Sequence, residues 1–275
     1  MTEVNPRNDQ QPRRPSFLPF DDVLANRTDA TLLDDLREML PDTTDDMDDP
    51  WEKAARIRES RQALKAVVNL QRVDLGVVDY EQAAADMREW VAQRQEGRAE
   101  DRLFLLSHPP VVTYGPRTDP ADLPTGMATV EVDRGGHATY HGPGQLVGYL
   151  VVNVRQRGPV DIVRWVENGL VDALAALGFA TIRRDTPPGA TSLVGVWTPD
   201  HRKLVSIGMR IRRGVTSHGF AVNVDPDMSV YRDFTACALP GVTMCSLAEL
   251  AAEQGVPAPT EAAVRDAVAT ALGAV

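Results

Sequence analysis

Lys203-Leu204-Val205-Ser206-Ile207-Gly208-Met209-Arg210-Ile211-Arg212, then Arg213-Gly214, then Val215-Thr216-Ser217-His218-Gly219-Phe220-Ala221-Val222-Asn223-Val224 is the stretch that decides the fold. Two extended runs flank a two-residue turn, the pattern of a β-hairpin. In the first run Val205, Ile207, Met209 and Ile211 form one face. Lys203, Arg210 and Arg212 are assigned to the other, with Ser206 and Gly208 between them.

The hairpin is embedded in alternating elements. Upstream, Gln145–Val154 is a continuous apolar run, read as a buried strand. Leu103–Ser107, Val111–Tyr114 and Thr129–Val132 read as shorter strands. Asp79 is placed to cap a helix running to about Gln95, with Gln82 completing a box and Gly97 ending it. Asp161 is read as the cap of a second helix that presents Ile162, Val166, Leu170 and Leu174 on one side and stops at Gly178. Ser246-Leu247-Ala248-Glu249 is a capping box, and Thr260–Leu272 a final amphipathic helix. The expected fold class is therefore α/β (α+β), a sheet with helices against it.

From about residue 71 to 275 the texture is that of one folded domain. Residues 1–70 differ: the first 60 hold 15 acidic and 8 basic side chains, and Asp42–Pro50 is nearly all Asp, Thr and Pro. That composition predicts an acidic, partly disordered extension, with short helices at Thr31–Leu40 and Trp51–Leu70. The net charge of −10 carries no basic nucleic-acid footprint. No apolar run reaches the ~18 residues of a membrane span, and the N-terminus lacks a signal-peptide core, so the expected location is the cytoplasm. A local cluster of Arg202, Lys203, Arg210, Arg212 and Arg213, with Arg183 and Arg184, is either a solvated strand face or a dock for an acidic partner.

Four segments can carry chemistry. The first is Arg134-Gly135-Gly136-His137-Ala138-Thr139-Tyr140-His141-Gly142-Pro143-Gly144-Gln145, where four glycines between two strands let a substrate approach the backbone. It fits neither the Rossmann nor the P-loop glycine pattern. The second is Lys203 at the head of its strand, which can equally be an edge lysine that blocks sheet addition. The third is His218-Gly219-Phe220-Ala221. The fourth is Cys237, in a loop after the hairpin; a lone cysteine can also be a small buried apolar residue, the reading given to Cys245. His137 and His141 share an HxxxH spacing, but Gly142-Pro143 disfavours a helix there, which argues against a metal site.

Together these segments resemble the octanoyltransferase family of lipoate biosynthesis. The resemblance rests on Arg134-Gly135-Gly136-x-x-Thr139-Tyr140-His141-Gly142-Pro143-Gly144-Gln145, Lys203-x-x-Ser206-Ile207-Gly208-x-Arg210, His218-Gly219-Phe220-Ala221-x-Asn223, Cys237 and the earlier His108-Pro109-Pro110-Val111-x-Thr113. It implies the fold of biotin and lipoate protein ligases, with a mixed, largely antiparallel sheet. It also implies transfer of an octanoyl chain from acyl carrier protein to a lysine of a lipoyl domain, such as those of 2-oxoacid dehydrogenases or the glycine cleavage H protein. By the same resemblance Cys237 is the nucleophile, Lys203 its partner, and Arg134–His141, Ser206–Gly208 and Gly219–Ala221 line the acyl pocket. Val205, Ile207 or Val147 would supply part of its apolar slot. No cofactor, ATP or metal, and no nucleic acid or membrane partner, is expected. The competing expectations are an ATP-dependent lipoate or biotin protein ligase and a non-catalytic paralogue that binds acyl carrier protein or a lipoyl domain. Ala236 and Ala238 stand where family members usually have Pro and Gly.

Overall fold

Strand β8, Lys203–Arg212, and strand β9, Val215–Asn223, pair antiparallel with Arg212 opposite Val215 and Val205 opposite Val222. Between them Arg213 and Gly214 both take positive φ, 49° and 73°. That is the backbone a two-residue hairpin loop needs to match the twist of its strands. The computed structural model describes residues 70–154, 158–232, 236, 239 and 241–274. Of the expected extension 1–70, with its helices at 31–40 and 51–70, all but the last residue lies outside the described residues, as does Cys237; Leu70 itself forms a bridge with Ala274 rather than ending a helix.

The hairpin sits in a six-stranded sheet. Its other members are β1 Gln71–Val77, β2 Arg102–Ser107, β6 Gln145–Val151 and β7 Gly195–Trp197, in the order β1-β2-β6-β9-β8-β7. Only β1 and β2 run parallel; every other neighbour is antiparallel. A second sheet, β4-β3-β5, is built from β3 Val111–Tyr114, β4 Thr129–Glu131 and β5 Thr139–His141. The expected α/β class with a mostly antiparallel sheet is what the chain adopts.

Helix α1, Tyr80–Gln95, covers one face of the large sheet: Ala83 and Met87 pack with Phe104, Val147, Tyr149 and Ala221. Helices α2 (Pro159–Ala176), α3 (Leu247–Gln254) and α4 (Glu261–Leu272) cover the other. There Val166, Leu170 and Leu174 meet Leu204, Val205, Phe220, Leu247 and Val268 in the main core. Burying a side chain of this kind is worth ~1.5–3 kcal/mol, so this layer fixes the sheet that the site is built on.

Two helix starts differ from expectation. Asp161 is not the cap of α2. Gly158 is, Pro159 fills the first turn, and the Asp161 carboxylate accepts the Gly158 N–H at 3.2 Å. Proline loses nothing at that position because its missing N–H would be unpaired anyway. At α1, Asp79 does cap, accepting from the N–H groups of Glu81 and Gln82. Gln82, however, donates to Asp86 one turn on, so no box closes there. The box Ser246/Glu249 forms in both directions.

Candidate active site

Strict alternation along β8 would put Lys203 on the same side as Val205. The pairing with β7 prevents it. Val196 pairs with Val205 and the next residue, Trp197, with Lys203, so Leu204 is left without a partner in β7. This bulge lets Leu204 and Val205, adjacent in sequence, both enter the main core. Lys203 is thereby turned to the opposite face, the one shared by Ser206, Gly208 and Arg210. Re-aiming one side chain is a common use of a bulge.

That face carries the glycine-rich loop. Gly135 N–H donates to Met209 O at 3.2 Å. A Cβ at Gly208 would stand 2.9 Å from Gly135 O and 3.1 Å from Arg134 Cδ, so the loop lies directly on the backbone of β8. The segment beyond Cys237 is fixed to the same strand: Lys203 N–H donates to Thr243 O at 2.9 Å, and Cys245 N–H to Lys203 O at 3.0 Å. Ala236 and Leu239, which flank Cys237, line a cavity of about 340 Å³ with Tyr231 and Met244. Ala236 also packs on the cluster of Val112, Ala138 and Tyr140 beside β5.

A buried polar chain links these parts. Arg134 donates to Thr113 O at 2.9 Å and to Thr113 Oγ1 at 2.8 Å. Thr113 Oγ1 lies 3.3 Å from His141 Nε2, and His141 Nδ1 is 3.2 Å from Gln145 Oε1. Gln145 donates to Asn223 Oδ1 at 2.8 Å and to Tyr231 OH at 2.9 Å. Tyr231 OH donates to Asn223 Oδ1 at 3.1 Å, and Asn223 Nδ2 to Cys245 O at 3.0 Å. The donors fix the tautomer. Both Gln145 N–H groups are spent, so its oxygen accepts from His141 Nδ1–H, and Nε2 accepts from the Thr113 hydroxyl. His141 is thus a neutral linker with both nitrogens engaged. Burial, with the neighbouring His108 and Arg134, holds its pKa well below the ordinary histidine value.

Two more histidines pack behind it. His108 donates Nδ1–H to Val78 O and accepts from Tyr149 OH at Nε2, each at 2.7 Å. His218 lies 3.0 Å from Asp133 Oδ1, and Arg210 pairs with the same carboxylate. Burial lowers both histidine pKa values, and the His218 hydrogen bond lowers that of Asp133. His218 also holds φ at 59° within β9, a costly backbone for a non-glycine residue, of the kind found at functional sites.

Among the predicted site residues, the structure lays Arg134 and Gly135 on Gly208, links Arg134 through Thr113 to His141, which shares its strand with Thr139 and Tyr140, and turns Lys203 and Ser206 to the same face of β8 as Gly208. Thr139 Oγ1 and His137 Nδ1 are buried without a hydrogen-bond partner. Ile207 and Phe220 pair with each other on the opposite face and pack against the main core, so their side chains do not join the loop. Val205 is in that core too, while Val147 and Ala221 lie on the α1 side. The basic cluster is not a continuous dock: Arg202 pairs with Asp200 and Glu253, Arg183 with Glu167, and Arg210 with Asp133. Gln145, Asn223 and Tyr231 were not among the predicted site residues. Gln145 and Asn223 stand within the motifs that carry the resemblance, and Tyr231 left no signal in the sequence. Among the described residues no group of His, Cys, Asp and Glu is arranged to hold a metal ion, and no helix is long and apolar enough to cross a membrane.

Comparison with known proteins bears on the same segment. The family described as the lipoyl protein ligase A/B catalytic domain matches residues 79–273. An octanoyltransferase of Frankia casuarinae is 46% identical over 195 residues, covering 69% of this chain and 88% of that protein. An octanoyltransferase of Acidothermus cellulolyticus is 44% identical over 181 residues, covering 62% and 78%. Among solved structures, a bipartite lipoate protein ligase of Thermoplasma acidophilum superposes with a TM-score of 0.54 at 15% identity, covering 74% of this chain and 82% of the other. That likeness shows the fold, and the sequence relatives show the kinship. The chain belongs to the octanoyltransferases of the lipoyl protein ligase A/B catalytic-domain family, and it is an acyltransferase.

Proposed function

We propose that the enzyme moves an octanoyl group from acyl carrier protein to a lysine of a lipoyl domain through a thioester on Cys237. The observation that carries this reading is the placement of Lys203. It is buried at 2% exposure, turned by the bulge onto the face of the glycine-rich loop, and hydrogen-bonded through its backbone to the segment following Cys237. An ammonium held there favours the thiolate form of a neighbouring cysteine.

In the first half-reaction the Cys237 thiolate attacks the carbonyl of the octanoyl thioester. The C–S bond to the carrier's phosphopantetheine breaks, and that sulfur leaves as a thiol after taking the proton of the Lys203 ammonium. In the second, the neutral amine of the acceptor lysine attacks the acyl-enzyme carbonyl. The Cys237 C–S bond breaks, an amide forms, and the proton lost by the amine goes to the Lys203 amine, which restores the thiolate–ammonium pair. Thr139 Oγ1 and His137 Nδ1 are buried polar atoms left for a ligand to meet. The neutral, fully engaged His141 is assigned a positioning role and not that of the proton carrier.

The test is intact-protein mass spectrometry after incubation with octanoyl-acyl carrier protein in the absence of ATP, with peptide mapping of the adduct. One octanoyl group on Cys237 is the expected result. Acceptor modification that requires ATP and free octanoate would replace this reading with a ligase, and no modification under either condition with a binding paralogue.

Gly208→Ala probes the docking of the loop. The added methyl meets Gly135 O and forces the Arg134–Gly136 backbone off β8. Displacement by a fraction of an ångström is expected to lower kcat/KM by ~10–100-fold. The loss of stability is expected near ~1–2 kcal/mol, the usual cost of a local backbone displacement. Steady-state kinetics beside a denaturant melt checks both, and unchanged kinetics would show that the loop has no part in the site.

A further inference from the structure

Lys203 is the sole lysine among the described residues, the others being Lys53 and Lys65. Its side chain is boxed in by β7. The Nζ atom stands 5.2 Å from the centroid of the Trp197 ring, and Trp197 is 0% exposed. The stem crosses Gly195, where a Cβ would lie 2.8 Å from Lys203 Cε. Gly195 has φ 145°, and its N–H is held by the buried Glu167 carboxylate of α2 at 3.0 Å. The indole is itself fixed: its N–H donates to Leu193 O at 2.9 Å, and the Arg184 guanidinium stands 4.8 Å from its centroid.

An ammonium withdrawn from water gains from the negative face of an aromatic ring, and an indole is the strongest such face among the side chains. A four-carbon stem without such a partner keeps several rotamers. We propose that Trp197 is a positioning residue for acyl transfer: its indole face, with Gly195 as the floor, holds the Lys203 ammonium on the side of β8 that carries the glycine-rich loop. The proposal deepens the reading of Lys203 as the partner of Cys237 and rests on it. Trp197 itself touches neither reacting atom in this scheme.

The small number of lysines makes the contact measurable. Protein labelled with 13C at lysine Cε gives three signals, and Lys203→Arg identifies the one that disappears. In the parent protein the Lys203 ε-protons are expected upfield of the other two through the indole ring current. Trp197→Leu abolishes that shift and Trp197→Phe keeps part of it. In parallel, the rate of octanoyl-enzyme formation on Cys237 falls ~30-fold in Trp197→Leu but stays within ~3-fold in Trp197→Phe. KM for the donor changes by less than ~3-fold in both. A Lys203 signal at the ordinary lysine position in the parent protein overturns the proposal even if the leucine variant does not fold. Equal slowing by Phe and Leu overturns it as well, because a simple packing role makes no distinction between an aromatic and an aliphatic filler. Absence of any Cys237 adduct in the parent protein removes the functional reading and the catalytic part of this one with it, while the ε-proton shift still reports the contact, so the two failures are separable.

Discussion

Cys237→Ser is expected to lower acyl transfer by at least ~10³-fold and to leave no octanoyl adduct, whereas Cys245→Ala keeps turnover within ~3-fold of the parent and costs ~1 kcal/mol of stability. The contrast follows from what holds Cys245. It is 1% exposed and belongs to the main core with Leu247 and Leu250. Burial pushes its thiol pKa up to about 12, so the reactive thiolate is ~10⁻⁵ of the population at neutral pH. What Cys245 contributes is its backbone, donating to Lys203 O and accepting from Asn223 Nδ2, and alanine preserves both bonds. Mass spectrometry of each variant with octanoyl-acyl carrier protein, together with urea melts, checks the pair. An adduct surviving in Cys237→Ser, or lost in Cys245→Ala, would reverse the assignment.

Acidification is the second large effect. His108, His141 and His218 all have folded-state pKa values lowered, in each case chiefly by burial. The unfolded chain takes up these protons near pH ~6.5 while the folded chain resists them. Stability is therefore fully present above that pH and is lost as pH falls through the window between 6.5 and the folded values. Each proton so withheld contributes ~1.4 kcal/mol per pH unit. For a protein stable by ~5–15 kcal/mol this is a large fraction. The urea midpoint is expected to be level from pH 8 to 7 and to fall steeply by pH 5.5. A midpoint unchanged between pH 7.5 and 5.5 would mean that these rings are not held neutral.

The parts of the molecule governed by local rules were legible in the sequence. The hairpin at Arg213-Gly214, the box at Ser246/Glu249 and the buried run from Gln145 each depend on residues a few positions apart. The glycine-rich loop and Gly208 were legible as residues, and their contact was not, because Gly135 and Met209 are far apart in sequence. The same holds for Gln145, Asn223 and Tyr231. A hydrogen bond between residues 145 and 231 leaves no period in the chain. Ile207 and Phe220 show the converse error: the motif that contains them lies at the site, but alternation sends their side chains into the core. Trp197 went unnoticed because a buried tryptophan in a short strand reads as core until a cation is found over it.

The bulge at Leu204 has a consequence for anyone who moves this site to another scaffold. In a pleated strand, facing is a matter of odd and even, and one unpaired residue inverts it for everything upstream. A graft that copies Lys203-Leu204-Val205-Ser206 onto a regular strand would reproduce every residue type and still deliver the amine into an aliphatic interior. Shortening β8 by one position would do the same in this protein while leaving the hairpin ladder beyond it intact. Where the lysine points is written in the count of residues before Val205 as much as in their identity.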